Sequence, residues 1–466
     1  MGVVWRGYHP EQRVEVAIKV MTGKQARDAT YIEGFRNEVR AVAGLDHPSI
    51  IMVLDQGEVD AQAESRSGGV FVAGSPYLVM ELASHGSLED ITSPLSWQHC
   101  KYILFGLLDA LAHAHARGVT HRDIKPGNVL ISSPEDPRPG LKLTDFGIAQ
   151  AVEKRTESGS TESTTGTPHY MAPEQMRGLW RDYGPWTDLY AVGCLTYNLV
   201  CGRTPFEGDN FIQLAHSHLQ LPPPALAPQI DVPPGLEAWI HRLMAKAPQQ
   251  RFQCAADAAW ALMMLDNTVP AQPVSTYEVA LRGGNLHPQE LRALILPPWE
   301  RGQAPKADTS VDMTLVDALP GTQVTGMSGL DVLPEWSTHA QAPNTTTPEL
   351  LRPPMPTSWR RPAHEATSMR LVGAGLGLYG LRIIPLVDRL PDRDAIWQAL
   401  LEVRQTQRAQ LVALTGAAGT GKGRLVEWIC ERAHEFGAAT SLHAYHSRSK
   451  TPADGLPSML ARHLRC

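Results

Sequence analysis

The chain has 466 residues, 43% apolar and 19% charged, which allows two or three domains with a sizeable core and matches ordinary soluble proteins. A formal net charge of −6 excludes the basic footprint of a nucleic-acid binder. No charged-then-apolar leader is present, and the most apolar late stretch, LVGAGLGLYGLRIIPLV (371–387), is glycine-rich and interrupted by Arg382, so no membrane span is expected.

In chain order, MGVVWRGYHP reads as the second half of a glycine-containing turn running into a strand, and VEVAIKV (14–20) as the next strand. YIEGFRNEVRAVAGL (31–45) carries Ile32, Phe35, Val39 and Val42 at helical spacing. YLVMEL (77–82) reads as a strand, and CKYILFGLLDALAHAHARG (100–118) as a long helix with Gly118 just past its end. TDLYAVGCLTYNLVCG (187–202) is a second helix, apolar enough for a core. Strand-rich sequence comes first and helix-rich sequence follows, so the fold class is α+β in two parts. The six cysteines (Cys100, Cys194, Cys201, Cys254, Cys430, Cys466) show no C-x-x-C pair and read as reduced thiols of a cytoplasmic protein.

Residues 268–370 change character: 14 of the 37 prolines fall there, with abundant Ser and Thr, so this stretch reads as a mostly disordered linker, with a short helix allowed at HPQELRAL (287–294). Order returns from about 371. QLVALTGAAGTGKGRLVEWICERAHEF (410–436) reads as strand, glycine loop and helix, with Leu425, Ile429, Ala433 and Phe436 on one face. GAAGTGKG fits a phosphate-cradling P-loop, with Gly416, Gly421 and Lys422 as its holding groups. Gly423 stands where a Ser or Thr would bind Mg²⁺, which counts against hydrolysis there.

The densest signal lies in HRDIKPGN (121–128) and DFG (145–147), on short loops after apolar runs. With Lys19 in VAIK, Glu38 in FRNEV and APE at 172–174, in order and at sensible intervals, the sequence resembles the protein kinase family. The resemblance implies a bilobal fold in residues 1–267, with a small β-rich lobe lacking its first strand and a larger α-rich lobe. Lys19 would then hold the α- and β-phosphates of ATP, and Glu38 would hold Lys19. Asp123 would orient the acceptor hydroxyl, Lys125 would face the transferring phosphoryl group, and Asn128 and Asp145 would ligate Mg²⁺. Gly2, Val4, Ala17, Met80 as gatekeeper, Glu81, Ala83 and Leu130 complete the implied nucleotide site.

HRDIKPGN matches the serine/threonine pattern, so the partners implied are proteins bearing Ser or Thr, and KPGN with APEQ has a bacterial look. Arg122 would pair with phosphate on the acceptor-rich activation loop, where Thr164 or Thr165 is the expected autophosphorylation site and Thr161 and Ser163 are rivals. Such autophosphorylation would involve self-association. Thr167 would wall the acceptor site. Asp188 matches the residue that brace the catalytic loop in this family, and Arg251 the partner of Glu174.

Only the last glycine and the valine of the family's G-x-G-x-x-G-x-V clamp are present, as Gly2 and Val4. Either the start is set too late, at an internal Met, or the chain begins here and binds ATP poorly. The segment from 371 to 466 is similar to the opening of AAA-type or signal-transduction ATPase modules, which makes the chain look cut at both ends. The expected function is a Ser/Thr protein kinase. A pseudokinase scaffold and a regulated ATPase are the alternatives.

Overall fold

The computed structural model describes residues 3–10, 13–21, 29–68, 70–91, 95–133, 136–146, 168–208, 210–265, 355–360, 378, 386, 388–417, 419–444 and 455–464. The first part is a four-stranded antiparallel sheet of β1 (Val3–His9), β2 (Val14–Val20), β3 (Val53–Glu58) and β4 (Pro76–Glu81), in the order β1-β2-β4-β3. Period-two alternation along β2 puts Val16, Ile18 and Val20 on one face, where they pack with Leu54, Val59, Phe71 and Val79. Ala17 and Lys19 take the other face, and Ala17 joins the main core. That alternation aims Lys19 at the cleft below the sheet.

Helix α1 (Ala29–Ala43) buries Phe35, Val39 and Val42 as its spacing requires. A short α2 (Ala61–Arg66), absent from the sequence reading, starts at Asp60, whose side chain accepts a hydrogen bond from the Ala63 amide at 2.6 Å. Helix α3 (Trp97–Ala116) begins three residues before its apolar run. Ser96 caps it by accepting from the His99 amide, and His99 Nδ1 accepts in turn from the Ser96 amide at 3.0 Å. A histidine thus does the reciprocal work that Glu or Gln usually does, which hides the helix start from a pattern search. Gly118 follows the helix at φ 72°, as expected of its left-handed position.

The hairpin β5 (Val129–Ser132) and β6 (Gly140–Leu143) frames the loops that carry the charged motifs. Next come α4 (Pro173–Met176) and α5 (Pro185–Cys201), the latter buried over nearly its whole length and ended by Gly202 at φ 69°. Helices α6 (Phe211–Gln220), α7 (Leu236–Leu243) and α8 (Ala255–Met264) surround α3 and α5 to close one continuous core. Gly193 lets α5 approach α7, since a Cβ there would meet Met244 Cγ at 2.7 Å.

The C-terminal part holds α9 (Leu390–Thr406), α10 (Lys422–Glu435) and α11 (Gly455–Leu464). Its own apolar cluster joins Met355, Trp359, Trp397, Leu425, Trp428, Ala433 and Phe436. Met355 and Trp359 come from the stretch read as linker. The expected strand before the glycine loop does not form: residues 410–417 carry no strand, and Leu411 is 94% exposed. A strand there needs a neighbour covered on both faces, and none is found among the described residues of this part. Of the expected α10 face, Leu425, Ala433 and Phe436 are buried and Ile429 is half-buried against the same cluster. α10 also lies against α3. The helix expected at 287–294 falls outside the described residues. Among the described residues Cys100, Cys194, Cys201, Cys254 and Cys430 are free thiols, and no helix is long and apolar enough to cross a membrane.

Candidate active site

Lys19 reaches from the sheet across the cleft to Asp145, with Nζ 2.8 Å from Oδ1. Asp145 stands three residues after the β6 lysine Lys142 and adopts a left-handed backbone, φ 57°. Phe146 behind it is fully buried and lies 4.6 Å from the His121 ring, which fixes the carboxylate's position. The side chain of Glu38, on α1, lies outside the described residues, as do Gly2 and residues 147–167 with Thr161, Thr164, Thr165 and Thr167.

The loop between α3 and β5 is held from beneath by Asp188, at the start of α5. Its carboxylate accepts from the His121 and Arg122 amides and from His115 Nε2, each at 2.7 Å. Burial alone would raise the Asp188 pKa, but these hydrogen bonds and the histidines hold it below the usual carboxylate range. Burial pushes His121 down to a neutral imidazole. Its Nδ1 accepts from the Asp123 amide at 3.2 Å, which assigns the ring proton to Nε2, bonded to the Thr144 carbonyl at 2.8 Å.

Arg122 has φ 67°, a conformation costing an arginine roughly 1 kcal/mol or more. Both its backbone groups are clamped: the amide by Asp188, and the carbonyl by Gln175 Nε2 at 2.8 Å. Its side chain donates to Thr120 Oγ1 at 3.0 Å and lies over the Tyr183 ring. Two strained, non-glycine residues, Arg122 and Asp145, therefore flank the same cleft.

Between them stands Asp123, 16% exposed in its side chain. Its Oδ2 accepts from Lys125 Nζ at 2.8 Å and from Asn128 Nδ2 at 2.9 Å, and Asn128 Nδ2 also donates to the Asp123 carbonyl at 2.7 Å. The Thr144 amide donates to the Asn128 carbonyl at 3.0 Å, tying this loop to the strand that leads to Asp145. Two carboxylates, two ammonium groups and one amide thus share one cleft. Such a set can bind polyphosphate, take up a hydroxyl proton and offer hard oxygen donors to a divalent cation.

Met80 and Glu81 close β4 behind the cleft, and Ala83 and Leu130 are half-buried nearby. The Glu81 side chain is turned to the rear, accepting from Arg138 Nη1 at 2.6 Å and the Met52 amide at 2.7 Å, and its own amide donates to the Met52 carbonyl at 3.0 Å. Val4 sits on β1 opposite Lys19 in register. A cavity of about 810 Å³ opens beside Lys125, between Glu89, Gly127, Tyr170 and Asn198. A Cβ at Gly127 would come within 2.7 Å of Glu89 Oε2, the end of a flexible side chain, so the carboxylate rests where a larger residue would displace it.

The residues expected to pair behind the site do so: Arg251 grips Glu174 through two bonds of 2.8 and 2.9 Å, both side chains almost fully buried. Sequence reasoning missed His115, Gln175 and Arg138. Of these only Gln175, beside the APE motif, carried any signal. Gly416, Gly421 and Lys422 form a tight loop in which Lys422 Nζ donates to the carbonyls of Gly416 at 2.9 Å and Ala417 at 2.6 Å. No cluster of three or more His, Cys, Asp or Glu suited to a metal is found among the described residues.

The family described as "Protein kinase domain" matches residues 1–260. The chain is 38% identical over 256 residues to Serine/threonine-protein kinase PknA of Mycobacterium tuberculosis, covering 54% of this chain and 56% of that protein. It is 34% identical over 264 residues to Serine/threonine-protein kinase PknB of Mycobacterium leprae, covering 55% and 40%. Against Serine/threonine-protein kinase PknB of Mycolicibacterium smegmatis the identity is 36% over 248 residues, covering 52% and 37%. The chain spans about half the length, or less, of these curated relatives.

Proposed function

This chain belongs to the protein kinase family, and from that premise we propose that it transfers the γ-phosphoryl group of ATP to Ser or Thr hydroxyls of proteins. The observation that carries the reading is the convergence of Lys19, Asp145, Asp123, Lys125 and Asn128 through contacts of 2.7 to 2.9 Å. These groups come from β2 and from two loops far along the chain, Asp145 standing 126 residues from Lys19.

In this reading Lys19 binds the α- and β-phosphates, exchanging part of its pairing with Asp145 for them. Asp123 accepts the proton of the acceptor hydroxyl while that oxygen forms its bond to the γ-phosphorus. The bond from phosphorus to the bridging oxygen breaks, and ADP leaves with the electron pair. Lys125 steadies the charge on the group in transit. The donor set fits Mg²⁺: Asp145 offers a carboxylate, and Asn128, whose Nδ2 is engaged by Asp123, offers its amide oxygen. Bound there, the ion would neutralise phosphate charge. The protein substrate enters along the cavity beside Lys125. Arg122 would exchange its contact with Thr120 for a phosphate on the activation loop, and autophosphorylation there would bring two copies together.

We also read the loop of Gly416, Gly421 and Lys422 as a phosphate holder of an ATPase-like module, supported by its left-handed glycines, φ 148° and 79°, and by Lys422 at the start of α10. The test of the main reading is ATP-dependent phosphate incorporation into a generic basic protein. Wild type is expected to be active and Asp123→Asn nearly silent. Equal incorporation by both would end it.

A further inference from the structure

The contact between α10 and α3 is not an apolar brush but a buried charge cluster. Glu435, at the end of α10, is 1% exposed. Its Oε1 lies 2.6 Å from Arg117 Nη1 and 3.1 Å from His113 Nδ1, both at the C-terminal end of α3. Its Oε2 lies 2.7 Å from Arg432 on its own helix. One turn earlier, Glu431 meets the other arm of Arg117 at 3.1 Å and Arg424 at 2.9 Å. Arg117 also donates to the His113 carbonyl at 2.9 Å, which fixes its guanidinium against α3. A carboxylate so deeply buried tolerates few registers: a helix docked one turn away would strand it without a cation.

The α3 residues that receive Glu435 stand at the junction of two polar series. His115, two residues beyond His113, holds Asp188, which holds the His121 and Arg122 amides of the candidate catalytic loop. The His113 ring lies 5.1 Å from the His47 ring, and His47 Nε2 meets Asp109 Oδ2 at 2.9 Å. The His47 carbonyl accepts from Arg138 Nη2 at 2.7 Å, and Arg138 grips Glu81 behind the cleft.

We propose that the end of α3 around His113 and Arg117 is a docking site for the acidic end of α10, through which the C-terminal part of the chain sets the rigidity of the catalytic loop. The occupant is this chain's own helix, selected by charge: two carboxylates on α10 against the Arg117 guanidinium at the end of α3, with His113 as a neutral hydrogen-bonding neighbour. α10 begins at the Lys422 loop and ends at Glu435, so a change at its start is carried as a rigid body of 14 residues to the kinase part.

Hydrogen exchange on the full chain tests this without any assay of activity, so its outcome is independent of the kinase reading. The variants are Arg117→Met, Glu435→Gln and the two combined, with exchange in β2, β4 and α5 as the control for intact folding. Each single variant is expected to raise exchange in 422–435 at least about tenfold and in 119–128 about threefold, with the double no worse than the worse single. If a methionine at position 117 unfolds the protein, Arg117→Lys serves in its place, since it keeps the charge but loses the fork that spans Glu431 and Glu435. Unchanged exchange in 422–435, or effects that add in the double, overturns the docking site. Release of 422–435 with 119–128 unmoved overturns the coupling.

Discussion

The cleft and the layer beneath it use the same chemistry, a carboxylate against a cation, to opposite ends. In the cleft the Lys19–Asp145 pair keeps 14% and 38% of its side chains exposed, and Lys125–Asp123 keeps 22% and 16%. Beneath, Arg251–Glu174 keeps 0% and 3%, and Asp188 shares a site with His115 in which neither side chain is exposed. Where water is shut out, a pair serves as architecture, because removing one member leaves a charge with nothing to solvate it. Where water still enters, a phosphate or a hydroxyl could replace it, as the proposed function requires of the cleft pairs. The proposed transfer would need the buried layer to hold still while the upper one exchanges partners.

The largest expected effect tests that division directly. Asp123→Asn should lower phosphate transfer by roughly 10²–10⁴-fold while leaving the denaturant midpoint close to that of wild type. A comparable loss of stability would mean that Asp123 belongs to the architecture. Arg251→Met should do the reverse. It leaves Glu174 buried and uncompensated, at a cost of roughly 3–5 kcal/mol measured by denaturant unfolding. Transfer by the molecules that remain folded should be little changed.

Acid should separate the layers again. Burial lowers the pKa of His113 and His218 to about 3 and that of His434 to about 4. A histidine whose folded pKa is depressed gives its full stability above its unfolded value near 6.5, and that stability is lost as pH falls toward the folded value. Each should therefore cost roughly 1.4 kcal/mol between pH 7.5 and 5.5. Unfolding free energies should fall as the pH is lowered across that range, and His218→Asn should flatten the mean slope by about half a proton. The smallest effect belongs to the pair outside both layers. Arg6–Glu15, with 59% and 47% of the side chains exposed, should contribute only about 0–1 kcal/mol when Arg6→Ala is compared with wild type.

The sequence carried most of the upper layer. Lys19, Asp123, Lys125, Asn128 and Asp145 lie in short runs whose residue types are demanded by phosphate chemistry, and periodicity placed β2, α1, α3 and α5 around them. The lower layer was partly legible through Asp188, Glu174 and Arg251. What stayed hidden acts across long separations without a pattern of its own: His115 inside an apolar helix, Arg138 in the β5–β6 turn, Gln175 behind Arg122. Local signals failed where an unusual residue took a usual job, as His99 does in capping α3. The apolar run at 410–417 misled for the opposite reason, since its strand character needs a neighbour that no pattern within it can supply.

Gly127 is a case where a missing atom sets an electrostatic sign. Because nothing projects from it, the Glu89 carboxylate can lie over the loop and lend negative potential to the mouth beside Lys125. Any bulkier residue would displace that carboxylate and change the potential beside the lysine. If peptides enter here, as proposed, their charge preference would be retuned at a position on the rim of the cavity.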